Sequence, residues 1–561
     1  MSEKIDNPIV ANLLSDRVLS RREDHGLGRF YLPQGRRFGT SEEFGTGQTI
    51  WILSSKGRAI LLTATLLVML GILLLHPRRP LLPWYYVLGW TLLAVWVGRM
   101  CLRTSPMLMA PILFCMYFLI GYPLKIVYGQ LSSWLFPMLS TGMYFARKSV
   151  WLDLEIFLAA LASMVGVALA VKIVLILEAQ RERRQVGQVR NKPGFSGPVD
   201  KQTLILAVCA FVIFLFLLCV FMWRYRIGQT GVRAVALPYR LTGIAVQLRS
   251  IFVPMMELYL FWQALKLRSR GLLWLMTIVI VAEAMLSGFL SMSRGAVVAR
   301  VIVFAVFSAK IYKELPTKLL LKVLLGGACL LILHVLIIAP SITIFRMYTW
   351  QGHSVSSAMQ AAIAKSLRLG NYQERLDFIF ARVLGVEDLM GVAAYKNKSL
   401  SLMYNTMTSG QGMRFVNYNM FGLEQFSGRQ LSGRTFSGRG MSIIGYLYLS
   451  GNMLVVLAGS AAICLIVCMA EIYLDRRAVV ASAVWVTVCM PGVWEGAFRP
   501  LFYGFIVFFS SYWFLTKMFD PWLRSGLRRS VSIKQAQARL AKTLWAPGSF
   551  PQIRPHSKFV D

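Results

Sequence analysis

Hydrophobic runs of about 18–22 residues recur along this chain, parted by short polar connections. They fall at about 57–76, 82–99, 106–128, 152–178, 202–223, 250–266, 271–291, 295–313, 318–341, 441–473, 478–493 and 499–518. Most are long enough to cross a bilayer as a helix, which keeps its backbone hydrogen bonds inside the segment. The pattern predicts an all-α, polytopic helical membrane protein with about twelve transmembrane helices and a large, partly helical periplasmic loop. Its expected divisions are a cytoplasmic N-terminal tail (1–50), helices 1–9 (51–340), a periplasmic loop domain (341–440), helices 10–12 (441–518) and a basic cytoplasmic tail (519–561). The ninth run holds Gly326-Gly327 and His334, the latter expected in a core or interhelical hydrogen bond. The tenth is too long for one straight span and is expected to tilt or to break at Gly451-Asn452.

The polar insert from about 341 to 440 interrupts the series. Residues 355–368 have helical spacing, and Arg375 and Arg382 lie two turns apart on one helix face. That segment reads equally as an amphipathic helix on headgroups or as a cleft wall with inward arginines. Further on, Ser-Gly-Arg occurs three times, ending at Arg429, Arg434 and Arg439. A repeat of five keeps no helix face, so a loop is expected there: a basic linker, or a loop that folds over an anion.

Charge sets the orientation. Over 561 residues, 56% of them hydrophobic, the formal charge is +35. That excludes a soluble domain and directs attention to anionic headgroups and a phosphate-bearing substrate rather than to nucleic acid. Lysine and arginine crowd the connections 179–201, 266–270, 310–318 and 476–477, which puts that side and both termini in the cytoplasm. The opposite face still carries Arg78-Arg79, a 224–249 loop with five arginines (Arg233 and Arg240 among them) and no acid, Arg294, the insert and Arg499. A polyanionic ligand on that face accounts for them. Few charged residues are expected inside the spans. No cleavable signal peptide is visible, and the first membrane helix is expected to act as the targeting signal. FGTGQT near Gly45 lacks the Lys-Ser/Thr of a phosphate loop and reads as a turn. The eight cysteines lie in or beside apolar runs; Cys464 and Cys468 share a helix face and read as small core residues.

Between two runs lies the turn Ser291-Met292-Ser293-Arg294-Gly295. Its arginine either snorkels to headgroups or contacts a phosphate or sugar. This turn, a large outer loop after about nine spans, and the segment SIIGYLYLSGN (Ser442 to Asn452) into which that loop runs resemble bacterial oligosaccharide-repeat-unit polymerases of the O-antigen and exopolysaccharide (Wzy) type. The resemblance covers roughly 270–460. It implies an inner-membrane glycosyltransferase that joins polyprenyl-pyrophosphate-linked oligosaccharide repeats on the periplasmic face, with no nucleotide sugar, no cofactor and no required metal. It implies donor contacts by Arg294 and by the insert arginines Arg375, Arg382, Arg434 and Arg439; Arg233, Arg240 and Arg499 share their face. A flippase and a chain-length regulator are the partners it suggests.

Glycosyl transfer to a hydroxyl benefits from a group that accepts the acceptor's proton. His353, Asp377 and Glu495 stand level for that role, with Glu374, Glu387, Asp388 and Glu424 as further acids of the insert. Asp153 and Glu155, at the start of the fourth run, are given no role. An O-antigen ligase uses the same donor on a similar scaffold, and a flippase or other transporter of lipid-linked oligosaccharide is the rival of a different class.

Overall fold

The computed structural model describes residues 82–102, 108–131, 142–184, 199–229, 235, 237–291, 295–311, 325–327, 329–330, 332–366, 385–408, 441–494 and 498–525. Among the described residues every regular element is helical. Seven helices are long and apolar enough to cross a membrane: α1 (Trp84–Leu102), α2 (Met109–Gly129), α4 (Val150–Arg184, apolar to Arg181), α5 (Lys201–Arg224), α6 (Leu241–Lys266), α7 (Arg270–Leu290) and α14 (Met453–Asp475). Between α2 and α4 lies a short helix, α3 (Gly142–Arg147). The remaining elements are α8 (Gly295–Lys310), α9 (Ala339–Trp350), α10 (Val355–Ser366), α11 (Val386–Ala394), α12 (Leu400–Thr408), α13 (Ile443–Tyr448), α15 (Val479–Trp494) and α16 (Phe498–Phe514). The run at 57–76 lies outside the described residues. Those at 295–313, 318–341, 478–493 and 499–518 correspond to shorter or partly described helices.

The tenth run breaks where expected. α13 ends at Tyr448, Gly451 takes φ +72°, and Asn452 caps α14 by accepting the N–H of Leu454 at 2.8 Å. A left-handed residue is cheap only for glycine, and asparagine is a strong N-cap, so these two residues make the bend.

α4 and α14 pack side by side and run parallel. Ser163 and Ser460 share a hydroxyl hydrogen bond of 2.8 Å, and Glu178 pairs with Arg476 about four turns further along both. Gly166 lies against the backbone of Leu457 and Ala461, and any Cβ there would overlap the Leu457 carbonyl. Small residues let membrane helices approach closely where lipid supplies no hydrophobic drive. Gly166→Leu is therefore expected to force the two helices apart, lowering the thermal transition of the detergent-purified protein. Gly98→Leu, at a position where an added Cβ meets nothing within 4 Å, is expected to leave it unchanged. Size-exclusion after a heating series checks this.

Polar contacts mark the two ends of the bundle. At one end Glu471 of α14 accepts the N–H groups of Met109 (2.7 Å) and Ala110 (2.9 Å), which open α2, and takes Lys310 of α8 at 2.6 Å. Asp475 holds the same lysine at 2.8 Å. A carboxylate on the free donors of a helix start satisfies both partners. The basic connections 266–270 and 476–477 belong to this end.

The insert docks at the other end. Asp153 accepts the hydroxyl of Tyr144 at 2.5 Å, while Glu155 takes Lys398 at 3.1 Å and the Tyr448 hydroxyl at 2.8 Å. Arg147 donates to the last carbonyl of α11, Ala394, at 2.6 Å. Glu155 thus fastens the insert through Lys398, and Asp153 holds α3, whose Arg147 reaches the insert, roles that only the fold assigns to them. Burial, then the bond to Asp153, pushes the Tyr144 phenol well up, so it stays a donor. α9 and α10 fold back on each other over a small core of Phe345, Ala358 and Ala362, with Trp223 and Phe289 against it.

Candidate functional site

α7 ends at Leu290 and α8 begins at Gly295, and these two helices and α6 share a polar network. Arg300 of α8 holds Glu283 of α7 with both prongs of its guanidinium, Nε to Oε2 at 2.8 Å and Nη2 to Oε1 at 3.0 Å. Nη2 also donates to the Arg249 carbonyl at 3.0 Å. Glu257 of α6 lies 3.4 Å from the same Nε. Arg249 reaches across to the end of α7, giving hydrogen bonds to Ser287 Oγ (2.7 Å), Ser287 O (2.6 Å) and Ser291 Oγ (3.2 Å). Ser287 in turn donates its hydroxyl hydrogen bond to Glu283.

Local structure explains how Arg249 gets there. A π turn, Leu248–Phe252, interrupts α6 and adds a residue to that turn of the helix. Such bulges re-aim side chains and recur at functional sites. Glu257, Glu283 and Arg300 are at most 8% exposed. Charge is scarce in these runs, and each of the three has apolar neighbours on both sides in sequence, so none interrupts the hydrophobic pattern, and their pairing is a property of helix packing. Two arginines and two glutamates meet here, and the network ties the end of α7 to α6 and α8.

A second polar site lies where the insert enters the bundle. Lys125 of α2 pairs with Glu387 of α11, both side chains fully buried. A π turn with Pro123 precedes Lys125, and Tyr122 shares a hydrogen bond of 3.2 Å with Ser442. Gly385 lies on the Gly121 carbonyl so closely that a Cβ has no room. Asp388 accepts the Gly385 N–H at 3.0 Å. Trp494 closes the site, stacked on Tyr117 with ring centroids 5.9 Å apart. Glu387 and Asp388, further acids of the insert in the sequence, are buried, Glu387 against Lys125 and Asp388 at the start of α11.

Of the residues singled out from sequence, His353 is exposed in the turn between α9 and α10, its ring 5.0 Å from that of Tyr348. The Tyr348 hydroxyl accepts Lys365 at 2.5 Å. Only the backbone is described for Arg240, in the tight turn Pro238–Arg240, and for Arg499, in the first turn of α16. Arg233, Arg294, Arg375, Asp377, Arg382, Arg434, Arg439 and Glu495 lie outside the described residues, as does the Ser-Gly-Arg triplet. His334 is buried in the π turn His334–Ile338. Cys464 and Cys468 are buried side by side, sulfurs 3.8 Å apart.

Compared with known protein families, with curated proteins and with solved structures, the chain matches none. What can be said of its chemistry rests on the arrangement itself. An Arg–Glu network ties the end of α7 to α6 and α8, at the end of the bundle where Trp223 and Phe289 meet the core of α9 and α10. Pre-organised arginine donors in a site screened from water stabilise a developing anion strongly.

Proposed function

We propose that this protein is a bacterial inner-membrane glycosyltransferase that polymerises polyprenyl-pyrophosphate-linked oligosaccharide repeats into a surface polysaccharide. In this reading about twelve spans carry the insert on the periplasmic face. A hydroxyl of one repeat attacks the anomeric carbon of the growing chain, its proton passes to a base, and polyprenyl pyrophosphate leaves. Arginines around the Ser291–Gly295 turn and in the insert stabilise the leaving charge. The observation that carries the reading is the bonding of Arg249 to Ser287 and Ser291, which fixes the helix end from which Ser293 and Arg294 follow.

Transport of the lipid-linked oligosaccharide is the second reading. It is favoured by the ionisable residues buried within α6, α7 and α8, the usual mark of a pathway or coupling site in membrane proteins.

Purified protein in liposomes, given a synthetic polyprenyl-pyrophosphate repeat, is expected to make a ladder of polymer. Arg294→Lys keeps the charge but not the bidentate fork and is expected to lose most of that product at unchanged protein level. A single transfer onto an added lipid A core acceptor indicates the ligase. Translocation without any new glycosidic bond indicates the transporter.

A further inference from the structure

Glu257 is 1% exposed, and among the described residues neither of its carboxylate oxygens receives a hydrogen bond. Its one ionic contact among the described residues is Arg300 Nε at 3.4 Å. That guanidinium is already committed: Nε and Nη2 both bond Glu283 at 3.0 Å or less, and Nη2 also serves the Arg249 carbonyl. Glu283 by contrast collects three donors, two from Arg300 and one from Ser287. Two carboxyls thus share one neighbourhood on unequal terms.

We propose that Glu257 is a proton-binding site inside the membrane, its carboxyl carrying an exchangeable proton while Glu283 stays a carboxylate. A buried carboxylate without a hydrogen-bond donor forfeits its hydration and keeps only the attraction of a guanidinium already bonded to Glu283; the acid form sheds the charge and gains a donor of its own. Carboxyls set apart in this way take opposite protonation roles. The charged groups that act on Glu257 are Arg300 from α8 and Glu283 from α7, while Arg249 of its own helix acts on Glu283 and Arg300. α5 adds the Cys219 thiol near Glu283 and Arg249. α15 brings no charged residue, and α16 only Arg499 in its first turn. The ligand is the proton itself, and the site stands whether the protein polymerises, ligates or transports.

Infrared difference spectroscopy tests this on the full-length protein. Subtracting Glu257→Gln from wild type is expected to reveal the loss of one protonated-carboxyl C=O stretch that shifts in deuterated buffer. Loss of carboxylate bands instead overturns the proposal. The amide is isosteric with the acid, so the variant is expected to fold; should it not, wild type alone serves. Dicyclohexylcarbodiimide reacts with a protonated carboxyl in apolar surroundings. The acid O–H adds across a C=N bond, and the acyl group then migrates to nitrogen, leaving an N-acylurea with nothing released. Peptide mass mapping is expected to find this adduct on Glu257 and not on Glu283. An adduct on Glu283, or a carboxylate spectrum with Glu257 unmodified, overturns the assignment.

Discussion

Arg300→Met is expected to leave little folded protein. The guanidinium is the cation for Glu283 and the nearest positive charge to Glu257, both inside the bundle. Removing one partner of a buried ion pair typically costs about 3–5 kcal/mol, because the other charge stays where it is. Whole domains are stable by only about 5–15 kcal/mol, so such a loss is severe. Folded yield by size-exclusion in mild detergent measures it. The companion variant Arg300→Met with Glu283→Leu removes both charges of the bidentate pair and is expected to recover much of the yield, since well-packed apolar replacements of buried pairs are often neutral. If Arg300→Met alone elutes like wild type in normal amount, the network is dispensable and cannot be what ties the end of α7 to α6 and α8.

Lys125→Met is expected to release the insert from the bundle. Every residue of α11 is buried, and Lys125 of α2 pairs with its Glu387. Methionine fills a similar volume, so the effect isolates the charge. Glu387 then remains buried without its cation, with the same expected penalty of about 3–5 kcal/mol, borne locally by the docking of α11. Hydrogen exchange over 386–394 is expected to rise sharply, with less change in α4 and α14. Lys125→Met with Glu387→Met is expected to restore protection. Unchanged exchange in the single variant would mean that packing around Gly385 and Trp494 holds α11 without the ion pair.

The sequence by itself determined that the chain is helical and membrane-embedded, because long apolar runs have few other ways to satisfy their backbone in lipid. It also determined the break at Gly451-Asn452, because positive φ and helix capping are local properties of those two residue types. The Ser291 turn was legible for the same reason, as a short polar interruption between two runs.

Only the tertiary structure decided which charges meet. Lys125 and Glu387 are 262 residues apart, and Met109 and Glu471 362 apart. Even Glu283 and Arg300, 17 apart, face each other only because α7 and α8 fold back as a hairpin. Hydropathy averages over a window, and one ion in an apolar run barely moves the average. Whether that ion snorkels, pairs or binds a proton depends on what the neighbouring helices present to it. The same holds for Asp153 and Glu155: their sequence context is that of any helix start, and their contacts with α3, the insert and α13 arise from Tyr144, Lys398 and Tyr448, which packing brings to them.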